Sequence, residues 1–177
     1  MTKRKKILEG RALTFGDHID TDVIIPARYC TSYQVEDLAP HCMEGADPAF
    51  AGKVRPGDIL VAGENFGCGS SRENAPIAIK GAGIAAVVAK SFARIFYRNA
   101  INIGLPILES REIVDETQEG DTIRVDLVSG IIENRTRGVK GKASPFPPLM
   151  REIIEMGGMV PYIRKRLGGN VGARRKT

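Results

Sequence analysis

The chain contains no tryptophan, only two histidines and three cysteines, and aromatic residues make up 6% of its 177 positions. That scarcity excludes an aromatic platform for stacking bases or sugars. The longest aliphatic run, Ile84 to Ala89, is far too short to cross a bilayer. No apolar stretch follows the basic start Lys3-Arg4-Lys5-Lys6, so the N-terminus does not read as a secretory signal and the cytoplasm is the expected compartment, with no membrane partner. Cys30, Cys42 and Cys68 are odd in number and form no Cys-x-x-Cys pair, and only His18 and His41 could assist them. A disulfide framework and a zinc module are therefore excluded; the expectation is reduced thiols and no metal on this chain.

What is present is ordinary for a globular protein: 42% hydrophobic and 27% charged residues. A chain of this length buries roughly 70% of its unfolded surface and needs no covalent staple. The net charge of +5 comes from the ends. Lys3 to Lys6, Arg164 to Arg166 and Arg174 to Lys176 are basic, whereas all 21 acidic residues lie in the body between them. A nucleic-acid binder would carry its basic stripe on the folded body, so no nucleic-acid partner is expected. Residues 1–167 read as one domain and 168–177 as a frayed basic tail.

Ile7 to Phe15 reads as a strand in imperfect alternation. A polar loop follows, then Val23-Ile24-Ile25 as a short buried strand stopped by Pro26. Residues 29–52, broken by Pro40, Gly45 and Pro48, read as a loop with one or two short helices, a length that usually signals function. A strand at 59–62 runs into a glycine- and serine-rich turn and a helix ending near Gly81 or Gly83, with Ser71 or Asn74 as its cap and Pro76 in its first turn. Ile84 to Ala89 is a strand of the kind buried on both faces. Ser91 opens a helix whose Phe92, Ile95 and Phe96 are expected in the core; Gly104 ends it before a strand at 105–108. Strand, glycine loop, helix, strand, helix, strand makes an α/β fold. A hairpin at 122–127 and 131–134 follows, then helical segments at 149–156 and 160–167.

Gly67-Cys68-Gly69-Ser70-Ser71-Arg72-Glu73 is the strongest candidate for chemistry. Glycines allow close backbone approach, and a helix start presents free N–H groups beside two hydroxyls and a guanidinium, which suits a carboxylate or phosphate. No lysine completes a P-loop, and no glycine completes a nucleophile elbow. From its residues alone the segment reads equally as a capped glycine turn. Asp20-Thr21-Asp22 offers paired acids for acid–base or metal chemistry, or an Asx-type turn. Arg94 and Arg98 share one face of a packed helix.

Taken together and in order, Asp20-Thr21-Asp22-Val23-Ile24-Ile25-Pro26, Gly67 to Glu73, Lys90-Ser91-Phe92-Ala93-Arg94-Ile95-Phe96 and Gly104-Leu105-Pro106 resemble the small subunits of 3-isopropylmalate dehydratases. The ending Ile153 to Tyr162 is also similar to theirs, and the resemblance spans roughly residues 7–167. The family is similar to the C-terminal domain of aconitase. The resemblance implies a swivelling β/β/α domain that works only with a large subunit carrying a [4Fe–4S] cluster. It also implies a hydro-lyase reaction of leucine biosynthesis that dehydrates 2-isopropylmalate and rehydrates it to 3-isopropylmalate. The cluster acts as Lewis acid on the leaving hydroxyl, and a base takes a weakly acidic C–H proton.

Carried onto this chain, the resemblance makes Ser70 the base and Arg72 the ligand of a substrate carboxylate, with Ser71 either assisting or merely capping the helix. Cys68 is given no chemistry. The substrate-selecting segment departs from the family pattern, reading Tyr29-Cys30-Thr31-Ser32, with Thr31 where an aliphatic residue or arginine is usual. Tyr29, Thr31 and the flanking Arg28 are the candidate substrate contacts. A homoaconitase-type or 2,3-dimethylmalate-type subunit is the alternative within this class. Outside it stand an anion-binding domain and an RNA binder using its basic ends.

Overall fold

The computed structural model describes residues 7–168; the remaining basic ends, including all of the expected tail beyond Gly168, lie outside them. In chain order the elements are β1 (Ile7–Thr14), α1 (Thr21–Ile24), α2 (Val35–Leu38), α3 (Phe50–Lys53), β2 (Ile59–Ala62), α4 (Asn74–Gly81), β3 (Ala86–Ala89), α5 (Arg94–Ile103), β4 (Ile107–Glu109), α6 (Arg111–Asp115), β5 (Thr122–Asp126), β6 (Ile131–Asn134), β7 (Val139–Lys142), α7 (Pro148–Glu155) and α8 (Met159–Arg166). The fold is mixed α/β, built on a seven-stranded sheet ordered β4-β3-β2-β1-β5-β6-β7.

β1 joins two kinds of sheet. Its last residues, Ala12 to Thr14, pair in parallel with β2, and β2, β3 and β4 continue in parallel. Its first residues, Ile7 to Arg11, pair antiparallel with β5, which leads into β6 and β7. Every residue of β2 and β3 is buried, as near-continuous aliphatic runs require in a parallel sheet covered on both faces. β5 instead alternates buried and half-buried residues. Gly10 permits the close crossing of β1 by the turn before β2, because a Cβ there would collide with the Gly57 carbonyl. α4 and α5 pack together, and α7 and α8 close over α5. No helix among the described residues is long and apolar enough to cross a membrane.

Several local expectations are corrected. Val23-Ile24-Ile25 is not a strand: Thr21–Ile24 is one helical turn capped by Asp20, whose carboxylate accepts the Val23 N–H at 2.9 Å. A side-chain cap outcompetes β-branched propensity over so short a run. At α4 neither Ser71 nor Asn74 caps; Glu73 holds the cap position without a side-chain hydrogen bond and Asn74 is the first helical residue. α5 starts at Arg94 rather than Ser91, and its buried face is Phe96, Ala100 and Ile101; Ile95 lies off that face and is 51% exposed. α6 and β7 were not expected. α6 is short and capped by Ser110, and β7 reads Val-Lys-Gly-Lys, with little strand propensity.

The antiparallel half is closed by one buried carboxylate. Asp121 is 5% exposed, and its Oδ2 accepts from Asn134 Nδ2 at 2.9 Å, Arg137 Nε at 2.6 Å and the Gln118 N–H at 2.9 Å. Burial pushes its pKa up, but these donors outweigh burial and hold the carboxyl below its ordinary value. Its stabilising effect is therefore fully present above the unfolded value of about 3.9 and is lost as pH falls through the folded one. Asp121→Asn is expected to destabilise the chain at pH 7 by about 1.5–3 kcal/mol. The gap between variant and parent should narrow as urea unfolding is repeated from pH 7 toward pH 3.

Candidate active site

Where β1, β2 and β3 end, the chain leaves the sheet in loops that stay paired. Asp20 bridges Cys68 and Phe66 bridges Phe92, both in parallel sense. The Gly67 N–H donates to the Ile19 carbonyl at 2.8 Å and the Thr21 N–H to the Cys68 carbonyl at 2.9 Å. Buried Thr21 adds a hydroxyl bond to the Ser70 carbonyl at 3.1 Å. Under this seam the Phe66 ring meets Phe92 and Phe96 edge-on, with centroids at 6.1 and 5.3 Å. Gly67 crosses them at φ +78°, and a Cβ there would strike the Phe96 ring. The C-terminal end of a parallel sheet is where open α/β folds place their ligands.

The seam brings the two strongest sequence candidates together. Ser70 and Ser71 are exposed, and Ser70 Oγ has no hydrogen-bond partner among the described residues. Arg72 is 18% exposed, and its Nη1 donates to Asp22 Oδ1 at 2.5 Å and to the Ile25 carbonyl at 3.3 Å. Its Nε and Nη2 have no partner among the described residues. That free edge presents two parallel N–H groups, the geometry that grips a carboxylate. The paired acids are both engaged within this seam: Asp20 caps α1 and Asp22 holds Arg72.

The segment 28–32 lies beside the same loop. Cys30 is close enough to Arg72 to interact with its charge, and Asn74 Nδ2 donates to the Ser32 carbonyl at 2.6 Å. Thr31 is exposed. Arg28 does not reach the Ser70–Arg72 loop; its guanidinium pairs with Glu44 and lies over the Tyr29 ring. Tyr29 donates its hydroxyl to Glu44 at 3.0 Å and stacks on His41. Glu44 and Asn74 were not singled out from sequence. The sequence offers Asn74 only as a helix cap, and Glu44 sits in a polar stretch without periodicity; the one signal is that stretch's unusual length.

The cysteines do not fit an iron–sulfur cluster. Burial pushes the Cys42 thiol up to about 12, and burial followed by the Asp20 charge raises that of Cys68. Among the described residues no group of three His, Cys, Asp or Glu side chains is placed to hold a metal ion.

Residues 19–112 match the Aconitase C-terminal domain. The chain is 60% identical over 160 residues to the 3-isopropylmalate dehydratase small subunit of Caldanaerobacter subterraneus, covering 90% of this chain and 99% of that one. It is 53% identical over 163 residues to the isopropylmalate/citramalate isomerase small subunit of Methanocaldococcus jannaschii, covering 92% and 97%. A crystal structure of 3-isopropylmalate dehydratase from the latter organism superposes with a TM-score of 0.85 at 51% identity, covering 91% of this chain and 95% of that one.

Gly67→Ala is expected to cost at least about 2 kcal/mol, combining left-handed backbone strain with displacement of the Phe96 ring. A urea midpoint unchanged from the parent would show that the loop does not depend on this crossing.

Proposed function

The chain belongs to the family of 3-isopropylmalate dehydratase small subunits, with the Aconitase C-terminal domain as its fold, and on that premise we propose how its residues serve the reaction. It is the small subunit of a hydro-lyase that converts 2-isopropylmalate to 3-isopropylmalate, a step of leucine biosynthesis, and it acts with a large subunit. The [4Fe–4S] cluster belongs to that large subunit, since this chain's thiols do not fit one.

The observation that carries the reading is an exposed serine two residues from an arginine whose Nε and Nη2 edge is free, both on one hydrogen-bonded seam. Arg72 takes a substrate carboxylate on Nε and Nη2 while Asp22 retains Nη1. The substrate's methylene carbon, next to its carboxylate, is then held toward Ser70, which removes a proton as hydroxide leaves the neighbouring carbon. Water returns in the opposite sense, with the hydroxyl on the former methylene carbon and the proton on the carbon bearing the alkyl group. Ser71 lies beside Ser70 with its hydroxyl exposed and assists in orienting the same carboxylate.

Thr31 faces the variable substituent. With Arg28 engaged by Glu44, the segment offers a methyl and a hydroxyl but no uncommitted cation. A small branched alkyl group fits that surface better than a second side-chain carboxylate, which favours an alkylmalate over a homoaconitase-type substrate.

The test is reconstitution under anaerobic conditions with the large subunit, followed by assay on a panel of alkylmalates. The isolated chain is expected to be colourless and inactive; an iron-loaded, active single chain would contradict the division of labour. Ser70→Ala should assemble normally and lose at least about 100-fold in kcat. Arg72→Lys should raise KM and lower kcat, because an ammonium cannot reproduce the two-pronged grip. Normal turnover by either variant would remove that residue from its role.

A further inference from the structure

Thr31 stands between two fixed neighbours. On one side Glu44, whose side chain is 18% exposed, gathers three donors: the Arg28 guanidinium, the Tyr29 hydroxyl at 3.0 Å and His41 Nδ1 at 2.6 Å. These bonds, that from His41 foremost, hold the Glu44 carboxyl below its ordinary value. The Tyr29 ring is further fixed by stacking on His41, with centroids 3.5 Å apart and planes within 8°, and by the Arg28 guanidinium 4.7 Å above its centre. On the other side the carbonyl of Ser32 accepts from Asn74 Nδ2 at 2.6 Å. Asn74 is 3% exposed and opens α4 two residues after Arg72, so this bond ties the segment to the helix start that directly follows the proposed carboxylate grip. The Ser32 hydroxyl closes the far end by donating to Asp37 at 2.6 Å and accepting the Gln34 N–H at 3.0 Å.

We propose that Glu44 and Asn74 are positioning residues for substrate choice, clamping the two ends of residues 29–32 so that Thr31 meets the variable substituent at a fixed place relative to Arg72. The inference rests on the reading of Thr31 as the selecting residue. A pocket wall distinguishes alkyl groups only if it does not yield: the roughly 10–200-fold discrimination available per methylene disappears when the wall moves to suit either group. Loosening a clamp should therefore erode discrimination while leaving the proton transfer at Ser70 in place.

The experiment uses the reconstituted enzyme with Glu44→Gln and Asn74→Asp, assayed on 2-alkylmalates bearing an isopropyl and a methyl group. Gln at the rim keeps one acceptor but turns an N–H pair toward donors. Asp in place of Asn74 keeps the size, suits a helix start, and sets an acceptor against the Ser32 carbonyl. Each is expected to move the ratio of the two kcat/KM values toward unity by about 10-fold, with KM for the isopropyl substrate carrying most of the change. A purely structural role would lower the unfolding midpoint and leave the ratio where it was. If Asn74→Asp fails to assemble, Glu44→Gln decides alone. An unchanged ratio overturns the clamp. Thr31→Arg, assayed in parallel, separates the two ideas: if it shifts the ratio while the clamp variants do not, the selecting residue stands and only the clamp falls. If it shifts nothing, both fall.

Discussion

The site depends on one constraint, the continuation of parallel pairing past the ends of the strands. The Thr21–Cys68 and Gly67–Ile19 bonds carry the pairing of β1 and β2 outward, and the Phe66–Phe92 bridge does the same for β2 and β3. Loops built this way inherit the rigidity of the sheet, although their tips are in solvent. The three phenylalanine rings below set the height of the seam, and the absence of a side chain at Gly67 lets it descend onto them. Exposed Ser70 and half-buried Arg72 are consequently side chains on fixed backbone, the condition for orienting a ligand without first ordering a loop.

Charge is distributed to match. Arg72 is held on one side only, so its pairing with Asp22 orients the guanidinium without consuming the Nε and Nη2 edge, whose geometry suits a carboxylate. Arg28, 63% exposed, is balanced by Glu44, so two nearby arginines do not present two equivalent anion sites. The difference lies in the partner's geometry. Asp22 meets a single nitrogen of Arg72, whereas Arg28 is drawn across the Tyr29 ring toward Glu44 and away from the Ser70 loop.

Much of this was legible in the residues. The parallel half of the sheet is legible in its aliphatic runs, and the glycine–serine loop and the acidic loop, which the sequence already sets apart, lie on one seam. What escaped was decided by interactions between segments. Val23-Ile24-Ile25 has strand composition, yet Asp20 caps it into a helical turn that also holds Thr21 against Cys68. Ile95 has the spacing of a core residue only if Phe92 shares its helix; Phe92 precedes α5, and the face that packs is Phe96, Ala100 and Ile101, which leaves Ile95 outside. Asn74 reads as a cap from sequence because its long-range partner, the Ser32 carbonyl, lies 42 residues away. Glu44 has no periodic context at all, and its significance exists only once Arg28, Tyr29 and His41 converge on it.

The same geometry explains why such a chain would work only in company. A serine hydroxyl is a weak base, and it gains strength only where its alkoxide is stabilised and water is excluded. Neither condition holds for the chain alone: Ser70 Oγ is exposed and lacks a hydrogen-bond donor among the described residues. On the proposed reading, the fixed backbone and half-engaged arginine are preorganisation for a second surface, which would supply both the dry environment and the group that draws off hydroxide. A site divided in this way would confine an aggressive base to the moment when substrate is enclosed. It would also leave the segment around Thr31 on the subunit proposed to grip the carboxylate, so that choosing the substituent and orienting the substrate are set by one rigid body.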